Sequence, residues 1–498
     1  MFYDQPGGAS YIGSIWPTLA TGCRPERHRY ASWAAVDHTT YGVVELGADH
    51  IACPPFWRQL AERSQRVAVI DVPRFAASRT LGDTSLELFG WATHDHIGEP
   101  HSWPPDRLAE AEASVDRPDF GRPRDDHPAH FAPCDWVHGG PDGPRSSEQL
   151  VSLRDAIVAS VDSKIEVSRQ YLDDGEWDLF FTVAAETHCA GHQFWAQHTS
   201  ALADRAASRT EVGDPLVEVY ERLDAGIGRL VDAAGADATV VVVFSHGMTA
   251  NAARNEALDV VLDRISRATA QRRTSSGVAA AKAVWRRVPR SLRRPLHPAV
   301  ARVVRRTAHR RTLDPDPPIA DRSQRRYAAA PGAAAVSGVR LNQIGRDAQG
   351  LVPAEARTAT LELVTDHLLD LVDVETGRSA VRRVVNADDV AGRFPDDGLP
   401  DLLVEWDDHG RGDTLYSPRL GLLASPSATV RSGDHREGGG LFIAHGPGIA
   451  PATLTGIAPE DIAPTIAALC GVSLRDVDGQ IVHDLVNERA PASASARR

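Results

Sequence analysis

Five short apolar runs, each bounded by polar or turn residues, constrain this chain more than anything else in it. They are RVAVIDV (66–72), DLFFTVA (178–184), ATVVVVFS (238–245), DLLVEW (401–406) and GLFIAHG (440–446). Runs of this length without apolar–polar alternation read as strands buried on both faces. Between several of them lie segments with apolar residues at helical spacing, such as SEQLVSLRDAIVASVDSKIEVSRQYL (147–172) and DPLVEVYERLDAGIGRLVDAAG (214–235). Strand alternating with helix predicts an α/β fold: a mostly parallel central sheet with helices on both faces.

The 498 residues leave room for one large core with an insert. We expect the core over 1–263 and 321–488, with a loop-rich stretch rich in Pro, Asp, His and Trp (75–145) lying over one face. Residues 264–320 interrupt the alternation and read as a basic helical cap, and 489–498 as a disordered tail. From Arg264 to Leu313 there are fifteen Lys or Arg and no Asp or Glu, in a chain whose formal net charge is −13. Such a run is either a solvated helical face or a surface that meets something anionic: a phosphorylated substrate, an acidic patch of the same protein, or a membrane face contacted peripherally through 264–311. Nothing in it resembles a groove-reading nucleic-acid module.

No run approaches the roughly 18 apolar residues of a membrane span. The start, MFYDQPGGAS, lacks the basic and apolar regions of a signal peptide. The five cysteines are scattered and show no CxxC spacing, so reduced thiols and a cytoplasmic location are expected.

Chemistry in parallel α/β sheets gathers at the carboxyl ends of strands, and histidines cluster there in this sequence. DLFFTVAAETHCAGHQFW delivers His188 and His192, one helical turn apart, so both imidazoles face one way. VVVVFSHGM places His246 directly after a strand, with Gly247 for a tight turn. In SGDHREGG, read as a turn, His435 stands just before the strand GLFIAHG. Neutral imidazole suits zinc, iron or manganese better than magnesium or calcium.

The N-terminal segment SYIGSIWPTLATGCRPERH (10–28) carries hydroxyls instead. A loop runs into a short helix with Ser14 at its N-cap and Pro17 in its first turn. A hydroxyl there is either a plain cap or a nucleophile facing the anionic oxygens that a helix N-terminus favours.

In this order the motifs resemble the alkaline phosphatase superfamily, in its type I phosphodiesterase/nucleotide pyrophosphatase branch. WPTLATGCRPERH is similar to the stretch after the family's nucleophile, ETHCAGHQFW to its Asp-x-x-x-His metal motif and FSHGM to its Ser-Asp-His-Gly motif. GDHREGGGLFIAHGPGIAPATLTGIAPEDIAPTIAALCGVSLRDVDGQIV follows its C-terminal segment, and VRLNQIGRDAQGLV and LPDLLVEW fit the same branch.

The resemblance implies a metal-dependent hydrolase of phosphate esters (phosphodiester, pyrophosphate or phosphomonoester) acting on a small phosphorylated substrate with a hydroxyl nucleophile. It implies one or two divalent ions, zinc first. His192 and His435 match two histidines of one metal, His188 stands at that metal's aspartate position, and His246 matches a histidine of the second. The nucleophile expected is Ser14, with Ser10 and Thr18 as alternatives. The sequence also departs from the pattern. Strict register with the Thr21-Gly22 pair puts Ile12 at the nucleophile position, and Ser245 stands where the second metal expects aspartate. These departures motivate the alternative of a metal-poor, non-catalytic relative that binds a phosphorylated ligand or partner. Cys23-Arg24-Pro25-Glu26-Arg27 has the spacing of a sulfatase nucleophile motif, but it lies downstream of that position.

Overall fold

A computed structural model describes residues 12–30, 32–78, 85–91, 100–114, 146–204, 210–252, 254–270, 288–289, 293–299, 301–302, 321–331, 336–387, 400–407, 412–425, 431–436 and 439–486. The chain begins with α1 (Ile15–Thr21), α2 (Pro25–His28), β1 (Ala34–Val36), β2 (Val43–Glu45), α3 (Phe56–Ala61), β3 (Val67–Ile70), β4 (Leu86–Phe89), β5 (His101–Trp103) and α4 (Asp106–Ser114). There follow α5 (Ser147–Asp174), β6 (Leu179–Thr182), α6 (Glu186–Ala203), α7 (Pro215–Ala234), β7 (Val240–Phe244), β8 (Gly247–Ala250) and α8 (Asn255–Ala270). The last part holds β9 (Tyr327–Ala330), β10 (Val336–Leu341), α9 (Arg357–Leu369), β11 (Val372–Asp373), β12 (Val381–Asn386) and β13 (Leu402–Trp406). It ends with β14 (Thr414–Ser417), β15 (Gly421–Ala424), β16 (Gly433–Arg436), β17 (Leu441–His445) and α10 (Ile462–Leu469).

The run VAVI forms β3, the middle of a four-stranded sheet ordered β5–β4–β3–β6. Its four side chains are fully buried and alternate between two cores, as a period of two requires. Val67 and Val69 pack with Phe56, Trp57, Leu60 and Ala463; Ala68 and Ile70 pack with Leu86, Leu88, Val167 and Tyr171. Helices therefore cover both faces of this sheet. The three helices α5, α6 and α7 share a further core through Ile157, Val161, Ile165, Phe194, Val219 and Leu223. Helix α5 starts at Ser147 because Ser146 and Gln149 form a reciprocal capping box: Ser146 Oγ accepts from the Gln149 N–H (3.2 Å) and Gln149 Oε1 from the Ser146 N–H (2.9 Å).

All five apolar runs form strands, but one mostly parallel sheet does not describe how they pair. The described strands lie in six small sheets, and parallel pairing between them is confined to β3 with β4 and β6. β7 pairs antiparallel with β17, β8 with β16, and the sheet β12–β13–β10–β9 is antiparallel throughout. An apolar run reports burial and not direction, which is why the expectation fails here. The segment read as a turn around His435 is strand β16, and Gly247 opens strand β8.

Helix α8 runs through Arg264, where the basic insert was expected to begin. Of 264–311, only 264–270, 288–289, 293–299 and 301–302 are described, and these include a helix over 293–299. There Arg293 Nη1 donates to the buried Asp370 (3.3 Å) and Arg294 Nη2 to the Val381 carbonyl (3.0 Å), so these two arginines face the chain's own core. The tail 489–498 and most of 115–145 lie outside the described residues. Among the described residues no helix is long and apolar enough to cross a membrane.

Two polar devices brace this scaffold. Asp401, buried at the edge of β13, accepts both guanidinium nitrogens of Arg346 (2.7 and 3.0 Å), one of Arg357, and the Leu341 N–H (2.6 Å). Burial alone would raise its pKa, but Arg346 and then Arg357 hold it below the usual carboxylate value. His28 ties α2 to α1. The Tyr30 N–H donates to its Nδ1 (3.1 Å), so Nε2 carries the proton and donates to Thr18 Oγ1 (3.0 Å). Burial pushes the His28 pKa down to about 3.

Asp401→Asn leaves two guanidinium groups without their carboxylate. It should cost about 3–5 kcal/mol in a urea melt, whereas a loss below about 1 kcal/mol would show the cluster to be dispensable. His28 is neutral in the fold down to pH of about 3, while an unfolded histidine protonates near 6.5. Its contribution is therefore complete above about pH 6.5 and lost as pH falls towards about 3. His28→Gln should flatten the fall in melting temperature between pH 6.5 and about 4; an unchanged slope would place that acid sensitivity elsewhere.

Candidate metal centre

Two backbone elements carry the histidines, and each is aimed by its own packing. The first turn of α6 is fixed from behind by buried charge. Glu186, its first residue, is fully buried and accepts from Ser160 Oγ of α5 (2.8 Å). Burial raises the Glu186 pKa, opposed chiefly by Lys164. Lys164 itself is buried, ion-paired with Asp71 at the end of β3, and stands 5.3 Å from the centre of the Trp91 ring. Two residues beyond Glu186, on the other side of the helix, comes His188; His192 follows one turn later.

The second element is the ribbon β8–β16. His246 sits between β7 and β8, and His435 lies opposite Met248 in the antiparallel register. The ribbon reaches α6 closely enough that Gly433 has no room for a side chain: a Cβ there would stand 2.1 Å from the Gly191 carbonyl oxygen. This approach lets His192 Nδ1–H donate to the Gly433 carbonyl (2.8 Å). The bond fixes the tautomer and leaves the Nε2 lone pair pointing outward.

All four expected histidines are brought together. His192 Nε2 lies 3.1 Å from His188 Nε2 and 3.0 Å from His435 Nε2, and these last two are themselves in contact. The ligating nitrogens of His188, His246 and His435 all lie within 4.8 Å of one another, and the His246 and His435 rings are 4.3 Å apart. His246 Nδ1 donates to the Gly247 carbonyl (3.1 Å). His192 is buried and the other three are half-exposed.

This donor set fits a metal ion. Bonds of about 2.0–2.1 Å to one ion put ligand nitrogens roughly 3.0–3.4 Å apart, which matches the spacing around His192. The cluster of candidate ligands among the described residues is made of imidazoles alone. Four neutral rings do not reduce the charge of a divalent ion, which then faces an anionic substrate at full strength.

The hydroxyl candidates lie on α1. Ser14 is its N-cap residue and is fully buried, with no cap bond from its side chain. Thr18 is buried and engaged by His28. Ser10 lies outside the described residues. Sequence reasoning did not single out Gly433 and Gly191. A glycine two residues before a histidine, inside a strand, is the available signal of close backbone approach.

The sequence model of the type I phosphodiesterase/nucleotide pyrophosphatase family matches residues 13–410, a span that includes His188, His192 and His246. Comparison with curated proteins found no match. Among solved structures, the chain is similar to human ectonucleotide pyrophosphatase/phosphodiesterase 5 at 14 % identity, covering 96 % of this chain and 88 % of that one with a TM-score of 0.43. Its murine counterpart is 12 % identical over 96 % and 88 %, with a TM-score of 0.45. Phosphonoacetate hydrolase from Sinorhizobium meliloti, in complex with phosphonoformate, is 13 % identical over 94 % and 84 %, with a TM-score of 0.38. By the sequence match over most of its length, the chain belongs to the type I phosphodiesterase/nucleotide pyrophosphatase family and is a phosphoester hydrolase.

Proposed function

We propose that the chain hydrolyses a small phosphorylated substrate (a phosphodiester, pyrophosphate or phosphomonoester) at the four-histidine cluster. His188, His192 and His435 would hold one divalent ion, and His246 would join them or serve a second. Zinc suits an all-imidazole set best. The observation that carries the reading is the convergence of three Nε2 atoms with His192 locked in the tautomer that offers its lone pair.

When bound, the ion supplies Lewis-acid polarisation of the phosphoryl oxygens. The protein supplies the rest. The Gly433 carbonyl keeps the proton on His192 Nδ1, and the Glu186–Ser160 bond with the Lys164–Asp71 pair keeps α6 in place. We assign the attack to Ser14: its Oγ bonds to phosphorus, the ester oxygen leaves with the electron pair, and water then hydrolyses the phosphoserine. Thr18 is the weaker candidate because His28 occupies its oxygen. The small sheets around the centre would then belong to one alkaline phosphatase-like core over 1–263 and 321–488, with 264–320 as its insert.

Elemental analysis of protein purified without chelator, together with turnover of bis-p-nitrophenyl phosphate, p-nitrophenyl phosphate and a dinucleotide, tests this reading. We expect one to two equivalents of zinc, iron or manganese, activity lost to a chelator, and His192→Ala without metal-dependent turnover. Full activity in His192→Ala, or after chelation, would overturn it.

Gly433→Ala tests the support of the site separately. The added methyl forces the ribbon from α6 and strains the His192 bond, so metal affinity should fall about 10–100-fold while circular dichroism stays native. An unchanged dissociation constant would mean that the Gly433 carbonyl does not orient His192.

A further inference from the structure

A second pair of reactive groups meets at the other end of α1, and the histidine chemistry does not use it. Gly22 ends the helix in the left-handed conformation, and Cys23 follows it, fully buried. The Ala52 N–H donates to the His28 carbonyl (2.8 Å), which brings the segment carrying Cys53 against α2. There the Cys23 thiol donates a hydrogen bond to the sulfur of Cys53, which is half-exposed. The Thr21 and Asp476 carbonyls also face Cys23 Sγ, at 3.6 and 3.5 Å.

We propose that Cys23 and Cys53 form a redox-active thiol pair, which closes to a disulfide by exchange with a low-molecular-weight disulfide of the glutathione class.

Their environments divide the roles. The hydrogen bond from Cys23 holds the Cys53 thiol below its usual range against the effect of burial, and Arg27 adds to this. The same hydrogen bond, and then burial, push Cys23 up. An exposed, more acidic thiol attacks, and a buried protonated one resolves. In the first step the Cys53 thiolate bonds to one sulfur of oxidised glutathione and expels the other half as a thiolate. In the second step Cys23 loses its proton to that thiolate and bonds to Cys53 Sγ, expelling the second glutathione thiolate. Two protein thiols become one disulfide, and oxidised glutathione is reduced to two glutathione molecules. The crosslink closes the segment 23–53 and fixes the turn where α1 passes into α2. Cys189 is buried and Cys470 is pushed up to about 11 by burial, so both serve as internal controls.

The test equilibrates the native full-length chain with oxidised and reduced glutathione at graded ratios, followed by alkylation and peptide mapping. The expected result is a Cys23–Cys53 crosslinked peptide, loss of those two alkylatable thiols, and full reversal by dithiothreitol. Cys23→Ser should stop at a stable glutathione adduct on Cys53, and Cys53→Ser should give neither adduct nor crosslink. Both thiols staying alkylatable at the highest oxidised-glutathione ratio would overturn the proposal, as would a crosslink to any other cysteine. The main measurement uses the unaltered chain, so a variant that fails to fold does not blunt it.

Discussion

The hydrogen bond from His192 Nδ1 to the Gly433 carbonyl joins parts of the chain 241 residues apart, and the candidate centre depends on it. On one side it settles which imidazole nitrogen carries the proton. On the other it requires β16 to run against α6 with nothing but backbone between them, which a glycine at 433 alone permits. Both consequences follow from one contact. Without it His192 loses its tautomer, and the ribbon that carries His435 loses its seat. The site is therefore assembled by backbone proximity before any ligand chemistry begins.

The opposite side of α6 is held by charge. A glutamate with no exposure is costly unless it is partnered, and Glu186 is tolerated because Ser160 donates to it and the Lys164–Asp71 pair stands near. Lys164 is one of only two lysines in the chain. Its place is internal, linking the end of β3 to α5 and α6, whereas nearly all the remaining positive charge is arginine. Helix α6 is thus clamped between a buried electrostatic cluster and a glycine-lined strand, and its two histidines point along the one direction left to them. Buried ion pairs of this kind are better at fixing an arrangement than at adding stability, and here the arrangement is what the ligand geometry needs.

Much of this was legible before any coordinates. The five apolar runs became strands because an uninterrupted apolar segment of that length has to be buried, and β3 shows the rule at its clearest, with alternate residues in two different cores. The helical spacing of His188 and His192 likewise survives in α6. Pairing direction was not legible: β7 and β17 are separated by about 200 residues and meet antiparallel, which no local pattern encodes. Around His435, the glycines and charged residues of SGDHREGG outweighed the strand signal. The segment is extended because β8 offers its edge, a tertiary cause that local propensity does not contain. The Cys23–Cys53 meeting escaped for a related reason, since thirty residues and a helix separate them in sequence.

The N-terminal motif shows what such a signature records. Thr21 and Gly22 terminate α1: the Thr21 hydroxyl donates to the Pro17 carbonyl (2.7 Å), and Gly22 takes a φ of 66° that a side chain would oppose. Pro25 starts α2 at the position where a missing N–H costs nothing. His28 closes the unit by donating to Thr18. Each recognisable residue of the stretch thus builds a rigid bracket around α1, and none of these four is a reacting group in our assignment. What the bracket holds is the helix whose N-cap is Ser14. In a scaffold of this kind the chemistry can shift by a residue or two along the loop before α1 while the bracket stays fixed. The motif therefore identifies the family more securely than it identifies the nucleophile.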